Sequence, residues 1–511
     1  MIAHINDLVS SMMVILSFLF ATSIVFLLFY IAILYVIDVT QTKQAIRHNY
    51  PVIGRFRYFF EHMGEFFRQY FFTMDREEMP FNRAQRSWVY RAAKDVNNTV
   101  AFGSSKDLRK PGTIMFVNSP YPTLGTDSVP PKDVIIGSKS CLKPYTAHSF
   151  FNISGMSYGA ISKPAITALA TGAKMANCWM NTGEGGLSPY HLENGCDIVF
   201  QIGTAKNGVR DLAGNLSDEK LKLVAQHDAV KMFEIKLSQG AKPGKGGILP
   251  GEKVTQEIAD IRGIPVGKDA ISPNRHYDIK SDDELLEMIK HIRTVTGKPV
   301  GFKVVIGSGR WFDQFCKEIH KKGLEYCPDF ITIDSAEGGT GAAPMPLIDD
   351  MGLPLRESLP LVVDLLNEYN LKQHVKVVAS GKLITPTDVA WALCLGADFI
   401  TSARGFMFAL GCIQALQCNK NTCPTGITTH NKRLQKGLNI SEKSLRVKCY
   451  IQHMIYEVGM IAHACGIKEA REFNRSHARV VTDAGLSVPL YKLHPDKKIL
   501  SSKTHNGADK M

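Results

Sequence analysis

No G-x-G-x-x-G run stands between a strand and a helix in this chain, so no built-in nicotinamide site is visible. A P-loop is missing as well: in "GAKPGKGG" the glycine spacing is wrong, and no Ser or Thr follows Lys245. Cysteine is sparse, with 11 in 511 residues. That density, and the odd count, exclude a secreted disulfide scaffold. Cys141, Cys178, Cys196, Cys316, Cys327, Cys394, Cys449 and Cys465 stand alone and read as core thiols of a reducing compartment. The net charge of +12 raises the question of nucleic acid, but Lys and Arg are scattered. No basic run alternates with aromatics as single-strand binders require, so no nucleic-acid partner is expected. A basic surface facing a membrane is the simpler reading. No internal repeat is present. Hydrophobic content of 45% with 21% charged residues is the balance of a globular protein.

Charge is absent altogether from Leu8 to Ile37, a run of 30 residues bounded by Asp7 and Asp38. A bilayer needs about 20 apolar residues, so residues 8–37 are expected to be a transmembrane anchor. The basic leader and small-residue cleavage site of a signal peptide are not evident. Lys43, Arg47, Arg55 and Arg57 follow the span, which predicts a single pass in the cytoplasmic (inner) membrane with the catalytic part inside. Residues 38–144 read as a basic and aromatic collar followed by an extended lead-in rich in Gly, Pro and Ser. "RFRYFFEHMGEFFRQYFF" suits a helix lying on the membrane, and equally one packed on the domain behind it.

Short apolar runs then alternate with amphipathic helical stretches. Candidate strands are "FNIS" at 151, "CWMNT" at 178, "DIVFQI" at 197, "MFEIKL" at 232, "VGFKVVI" at 300, "FITID" at 330, "VKVVAS" at 375 and "DFITS" at 398. Their alternation with helices argues for a parallel sheet, and their number for an α/β fold closed as a (β/α)8 TIM barrel. Glycines cluster just past the strand ends, where barrel enzymes build their sites. A helical region is expected over 436–480 and a polar tail over 481–511.

Cys412, Cys418 and Cys423 form a C-x5-C-x4-C triplet with Pro424 after the last. Spacing alone leaves three readings open: an iron–sulfur cluster, zinc with His430 as a fourth ligand, or three reduced thiols.

The loop "GCIQALQCNKNTCPTGITTH" resembles the cluster loop of the glutamate synthase large subunit. The same order of motifs precedes it: "GMSYGAIS" at 155, "NTGEGG" at 181, "EIKLSQGAKPGKGG" at 234, "ISPNRHYDI" at 271, "EGGTGAAP" at 337 and "SGKL" at 380. The resemblance covers residues 145–435 and implies an FMN-binding barrel with a 3Fe-4S cluster on Cys412, Cys418 and Cys423. Its implied reaction is the reductive amination of 2-oxoglutarate to L-glutamate through 2-iminoglutarate. The anchored architecture resembles stand-alone glutamate synthase-like proteins that carry only this domain.

On that resemblance Lys236, Gln239, Lys242 and Arg262 bind the substrate, which carries two carboxylates and needs paired cations. Lys242 and Glu184 are the expected catalytic groups, for proton transfer and for orienting ammonia or the imine. Met156, Ser157 and Tyr158 are placed beside the flavin ring, and Lys303 at its N1–O2 edge. Gly338, Gly339, Gly381, Lys382, Ser402, Arg404 and Gly405 are placed at the FMN phosphate. No stretch resembles a glutamine amidotransferase, so ammonia, or a separate glutaminase, is expected to supply nitrogen. The electron donor is expected to be a ferredoxin-like carrier or a membrane-bound partner. Two other readings stand beside this one: an FMN barrel dehydrogenase for another 2-oxo or 2-hydroxy acid, and a membrane-tethered redox carrier without enzymatic activity.

Overall fold

The computed structural model describes residues 2–495, with the side chains of residues 2–5, 65 and 66 left out. The chain divides into two compact units at Ala84 and Gln85. The first unit begins with helix α1 (Ile2–Thr40). From Asn6 to Thr40 its mean hydropathy reaches 2.6, and it is long and apolar enough to cross a membrane as a single anchor. Lipid offers its hydroxyls no partners, and the helix supplies them. Ser17, Thr22 and Ser23 donate to the carbonyls of Met13, Phe18 and Leu19 at 2.8, 2.7 and 2.7 Å. Helix α2 (Gly54–Phe67) and a π-helical turn (Arg68–Phe72) follow.

The second unit is built on a closed barrel of parallel strands. These are β1 (Phe151–Ile153), β2 (Trp179–Asn181), β3 (Asp197–Ile202) and β4 (Val230–Lys236), then β5 (Val300–Val304), β6 (Phe330–Asp334), β7 (Lys376–Ser380) and β8 (Phe399–Ser402). Each pairs with its sequence neighbour, and β8 pairs with β1 to close the ring. The eight sequence-predicted strands are these eight. Their residues are buried almost throughout, as expected of parallel strands covered on both faces. Ser or Thr caps start two of the helices: Ser162 accepts from Ala165 N before α3 (Lys163–Met175), and Thr255 from Ile258 N before α4 (Gln256–Arg262).

The lead-in is more regular than its composition suggests. A hairpin of Val134–Ile136 with Tyr145–Ala147 presents Ile136, Tyr145 and Ala147 to Trp179, Met232, Phe330 and Phe399 at the barrel's N-terminal end. Ile114–Phe116 pairs antiparallel with Ala478–Val481, and that strand with Ser487–Pro489. The segment read as a polar tail therefore begins inside a three-stranded sheet. Its remainder, 496–511, lies outside the described residues.

Candidate functional site

The C-terminal mouth of the barrel gathers cations around one carboxylate. Glu184 follows β2, and its Oε1 lies 3.1 Å from the Lys236 ammonium at the end of β4. Glycines make this possible: a Cβ on Gly203 would sit 2.5 Å from the Glu184 Cβ, and one on Gly247 2.1 Å from its Oε1. Burial pushes the Glu184 carboxyl up, but Lys236, with Lys242 and Arg262, outweighs it and holds the group below its usual range. Lys236 also donates to Gln239 Oε1. Gln239 Nε2 reaches the Gly339 carbonyl at 3.4 Å, joining this loop to the glycine loop after β6.

Lys242 is 3% exposed and donates to the Ala342 carbonyl at 2.9 Å. Burial, and then the Lys236 charge, bring its pKa down to about 8. Arg262 closes α4 and is buried; its Nη2 donates to Tyr158 O at 2.8 Å and Ser157 Oγ at 3.2 Å, while its Nε has no partner. Burial draws its pKa down to about 10. These buried cations share the single Glu184 carboxylate, and an anion entering the mouth would supply further counter-charge.

Deeper in the barrel the Lys303 ammonium lies 3.2 Å from Asp334 Oδ2, which also accepts from Gly240 N at 3.0 Å. Burial disfavours the Lys303 charge, but Asp334 and Glu234 overcome it and raise its pKa. Glu234 accepts from Asn181 Nδ2 at 2.8 Å, Gln201 Nε2 at 2.6 Å and Thr332 Oγ1 at 2.6 Å. Lys303, Glu234, Asn181 and Thr332 line one interior cavity.

The late loops converge on Arg404 and Lys382. Arg404 Nη2 donates to the Glu337 carbonyl, and a Cβ on Gly339 would lie 2.7 Å from its Nε. Burial lowers the pKa of Arg404 to about 10 and also lowers that of Lys382, to which the Arg404 charge contributes. The Gly338 Cα stands beside Gly240, and Gly381 (φ +124°) beside the Ser335 hydroxyl. Ser402 and Gly405 lie against the Tyr450 hydroxyl. Met156 and Ser157, on the loop after β1, rest on Gly183, and Tyr158 donates to Glu257 Oε2 at 2.6 Å.

The cysteine triplet corrects the expectation of a cluster. Among the described residues no group of three or more His, Cys, Asp or Glu side chains is arranged to hold a metal ion. All three are free thiols, engaged with their own loop. Cys412 Sγ accepts from Gln414 N at 3.4 Å, and Cys423 Sγ meets Thr425 Oγ1 at 3.3 Å. Burial pushes the Cys412 thiol up to about 12 and raises that of Cys418. For Cys423 burial is outweighed by the Thr425 and Thr428 bonds, which lower it. His430, the possible zinc ligand, donates through Nε2 to the Gly159 carbonyl at 2.8 Å. The loop is held instead by buried Lys253, whose ammonium reaches the carbonyls of Cys418 and Thr428 at 2.6 Å each and Ala160 at 3.4 Å.

Sequence reasoning missed Glu234, Asp334 and Lys253. The first two sit inside strands otherwise built of buried apolar residues, and a charge in such a run is the signal that could have found them. Lys253, in a loop beside Glu252, carried no signal of its own.

The family model described as the conserved region in glutamate synthase matches residues 109–468. The chain is 41% identical to the glutamate synthase large subunit-like protein YerD of Bacillus subtilis, over 87% of this chain and 91% of that protein. It is 35% identical to the archaeal-type glutamate synthase [NADPH] of Thermotoga maritima, over 65% of this chain and 62% of that protein. A glutamate synthase large subunit-like protein of Rhizobium meliloti is 29% identical over 77% of this chain and 90% of that protein.

Proposed function

The chain belongs to the glutamate synthase family and is an oxidoreductase of that type, and on this premise we propose that it converts 2-oxoglutarate to L-glutamate at a bound FMN. The observation that carries the reading is the charge imbalance at the barrel mouth: Lys236, Lys242 and Arg262 surround the single carboxylate of Glu184. A dicarboxylate restores neutrality there, and a monocarboxylate does not. Arg262, with its free Nε, grips one carboxylate, and Lys242 with Lys236 faces the other end of the substrate. Lys242, poised near neutrality, passes a proton to or from the reacting carbon's substituent. Glu184 orients ammonia or the imine beside Lys236. The balance is 2-oxoglutarate, ammonium, two electrons and two protons giving glutamate and water, with the electrons from an external donor.

The residues present fit FMN. Arg404 and Lys382, two half-buried cations whose charges oppose one another, suit a phosphate dianion between glycine loops. Lys303 stays charged inside the barrel, where it suits the negative edge of a reduced flavin. When bound, FMN supplies the two-electron reduction of the imine carbon. The anchor holds the enzyme in a membrane, with the barrel on the side of Lys43, Arg47 and Arg57, the cytoplasm.

Calorimetric titration of the flavin-loaded chain with 2-oxoglutarate and with pyruvate tests the assignment. The five-carbon dianion is expected to bind and pyruvate to bind far more weakly; equal binding of the two would favour a dehydrogenase for another 2-oxo or 2-hydroxy acid.

A further inference from the structure

The end of the membrane span is tied to the segment that follows by a saturated carboxylate. Asp38 is fully buried, although it stands at the polar end of α1. It accepts from Arg47 Nε and Nη2 at 2.9 and 2.6 Å, from Arg55 Nε and Nη2 both at 2.7 Å, and from Val52 N at 3.0 Å. A carboxylate offers about four lone-pair sites, so nothing further is left for solvent. The turn between is shaped to match. Val52 adopts φ +64°, and a Cβ on Gly54 would lie 2.8 Å from the Ile46 carbonyl. The start of α2 is thereby fixed against the end of the anchor.

What α2 then displays is apolar and uncovered. Phe56, Phe59, Phe60 and Phe67 recur at helical spacing, with exposures of 58, 55, 64 and 39%. Phe56 stacks on Phe60 with ring centroids 6.4 Å apart, and Phe67 meets Phe71 at 5.6 Å, so the stripe continues through the π-helical turn. There Phe71 and Phe72 are 74% and 76% exposed. Exposed Arg57 and Arg68 lie beside the stripe, and the two arginines on Asp38 leave a surplus positive charge. A patch of aromatics this large on a soluble surface marks an interaction site. An aromatic stripe flanked by arginines, continuous with a membrane span, matches the boundary between acyl chains and anionic headgroups.

We propose that α2 and the π-helical turn form a second membrane contact, lying on an anionic lipid surface and locked to the end of the span by Asp38. The aromatic rings enter the acyl boundary, and Arg57 and Arg68 meet the headgroup phosphates. The anchor is then a hinge-free foot rather than a lone tether.

The test uses the full chain, reconstituted in vesicles of phosphatidylcholine and phosphatidylglycerol, with the photoreactive p-benzoylphenylalanine placed at one position at a time. Irradiation with the probe at Phe60 or Phe71 is expected to give a phospholipid adduct by mass spectrometry, as a probe at Leu19 within the span does. Cross-links from position 60 or 71 into the chain itself, or no adduct while position 19 still labels lipid, would overturn the proposal. In an Asp38→Asn background the lipid adduct at position 60 is expected to be lost and that at position 19 kept. An adduct at position 60 that survives the substitution would show that the Asp38 contacts do not set the foot in place.

Discussion

The Glu184 carboxylate and the Lys236 ammonium meet at 3.1 Å although one follows β2 and the other ends β4, so the pairing of both strands with β3, and not local sequence, brings them together. With Lys242 and Arg262 beside it, Glu184 is outnumbered. Glu184→Gln removes the only negative partner named in this group. It is expected to leave 2-oxoglutarate binding as tight or tighter, while glutamate formation falls by about 100-fold for want of the group that orients the nitrogen. Calorimetry and single-turnover product analysis separate the two effects.

Lys242→Ala and Arg262→Ala each remove a hydrogen bond to a charged group, which costs about 1.5–3 kcal/mol, or roughly tenfold and more in affinity. Flavin content is expected to be unchanged in both. Wild-type affinity for 2-oxoglutarate in either variant would contradict the placement of that residue.

The same lysine gives a pH signature. Its pKa in the folded chain, about 8, is depressed from the ordinary lysine value by burial and by Lys236. Below about pH 8 it is protonated and attracts the dianion, and as pH rises through 8 the charge and the affinity are lost. A bound dianion raises that pKa, so above pH 8 binding takes up a proton. Titration enthalpies should then depend on the buffer's ionisation heat, and Lys242→Ala should abolish the dependence.

Lys303 and Asp334, 3.2 Å apart, predict potential shifts of opposite sign. On the proposed flavin placement, Lys303→Met removes a cation from the reduced ring's edge and should lower the two-electron potential by roughly 30–60 mV, equivalent to about 1.4–2.8 kcal/mol. Asp334→Asn leaves the cation uncompensated and should raise it. Spectroscopic redox titration reads both.

Lys253→Met strips three carbonyls in or beside the cysteine loop of their shared donor. Faster backbone hydrogen exchange is expected over residues 417–429, with the β2–β4 strands unchanged. Unaltered exchange there would mean the loop is held by other contacts.

Much of this fold was legible because each barrel strand is a short apolar run: "DIVFQI" and "FITID" announce β3 and β6 by composition alone. Pairings across long separations were not. Nothing local in Ile114–Phe116 points to Ala478–Val481, which is why all but the last residue of that strand falls in the region read as helical. At the candidate site, Lys236 and Arg262 are named from the family resemblance, and the fold sets both beside Glu184. Glu234 stands out only as a charge in an apolar strand, and its task depends on Asn181, Gln201 and Thr332 arriving from three other strands. The cysteine triplet failed for a related reason. Spacing reports which thiols are near in sequence, whereas Thr425, Gln414 and Lys253 decide what the loop does with them.

The central claim is that this barrel reduces and aminates 2-oxoglutarate. Its most direct measurement is anaerobic: the FMN-loaded chain is reduced photochemically, 2-oxoglutarate is added with ammonium or with glutamine, and flavin absorbance and glutamate are followed together. Flavin reoxidation with an equal amount of glutamate is expected with ammonium and not with glutamine alone. Flavin that stays reduced with 2-oxoglutarate and ammonium present would contradict the account.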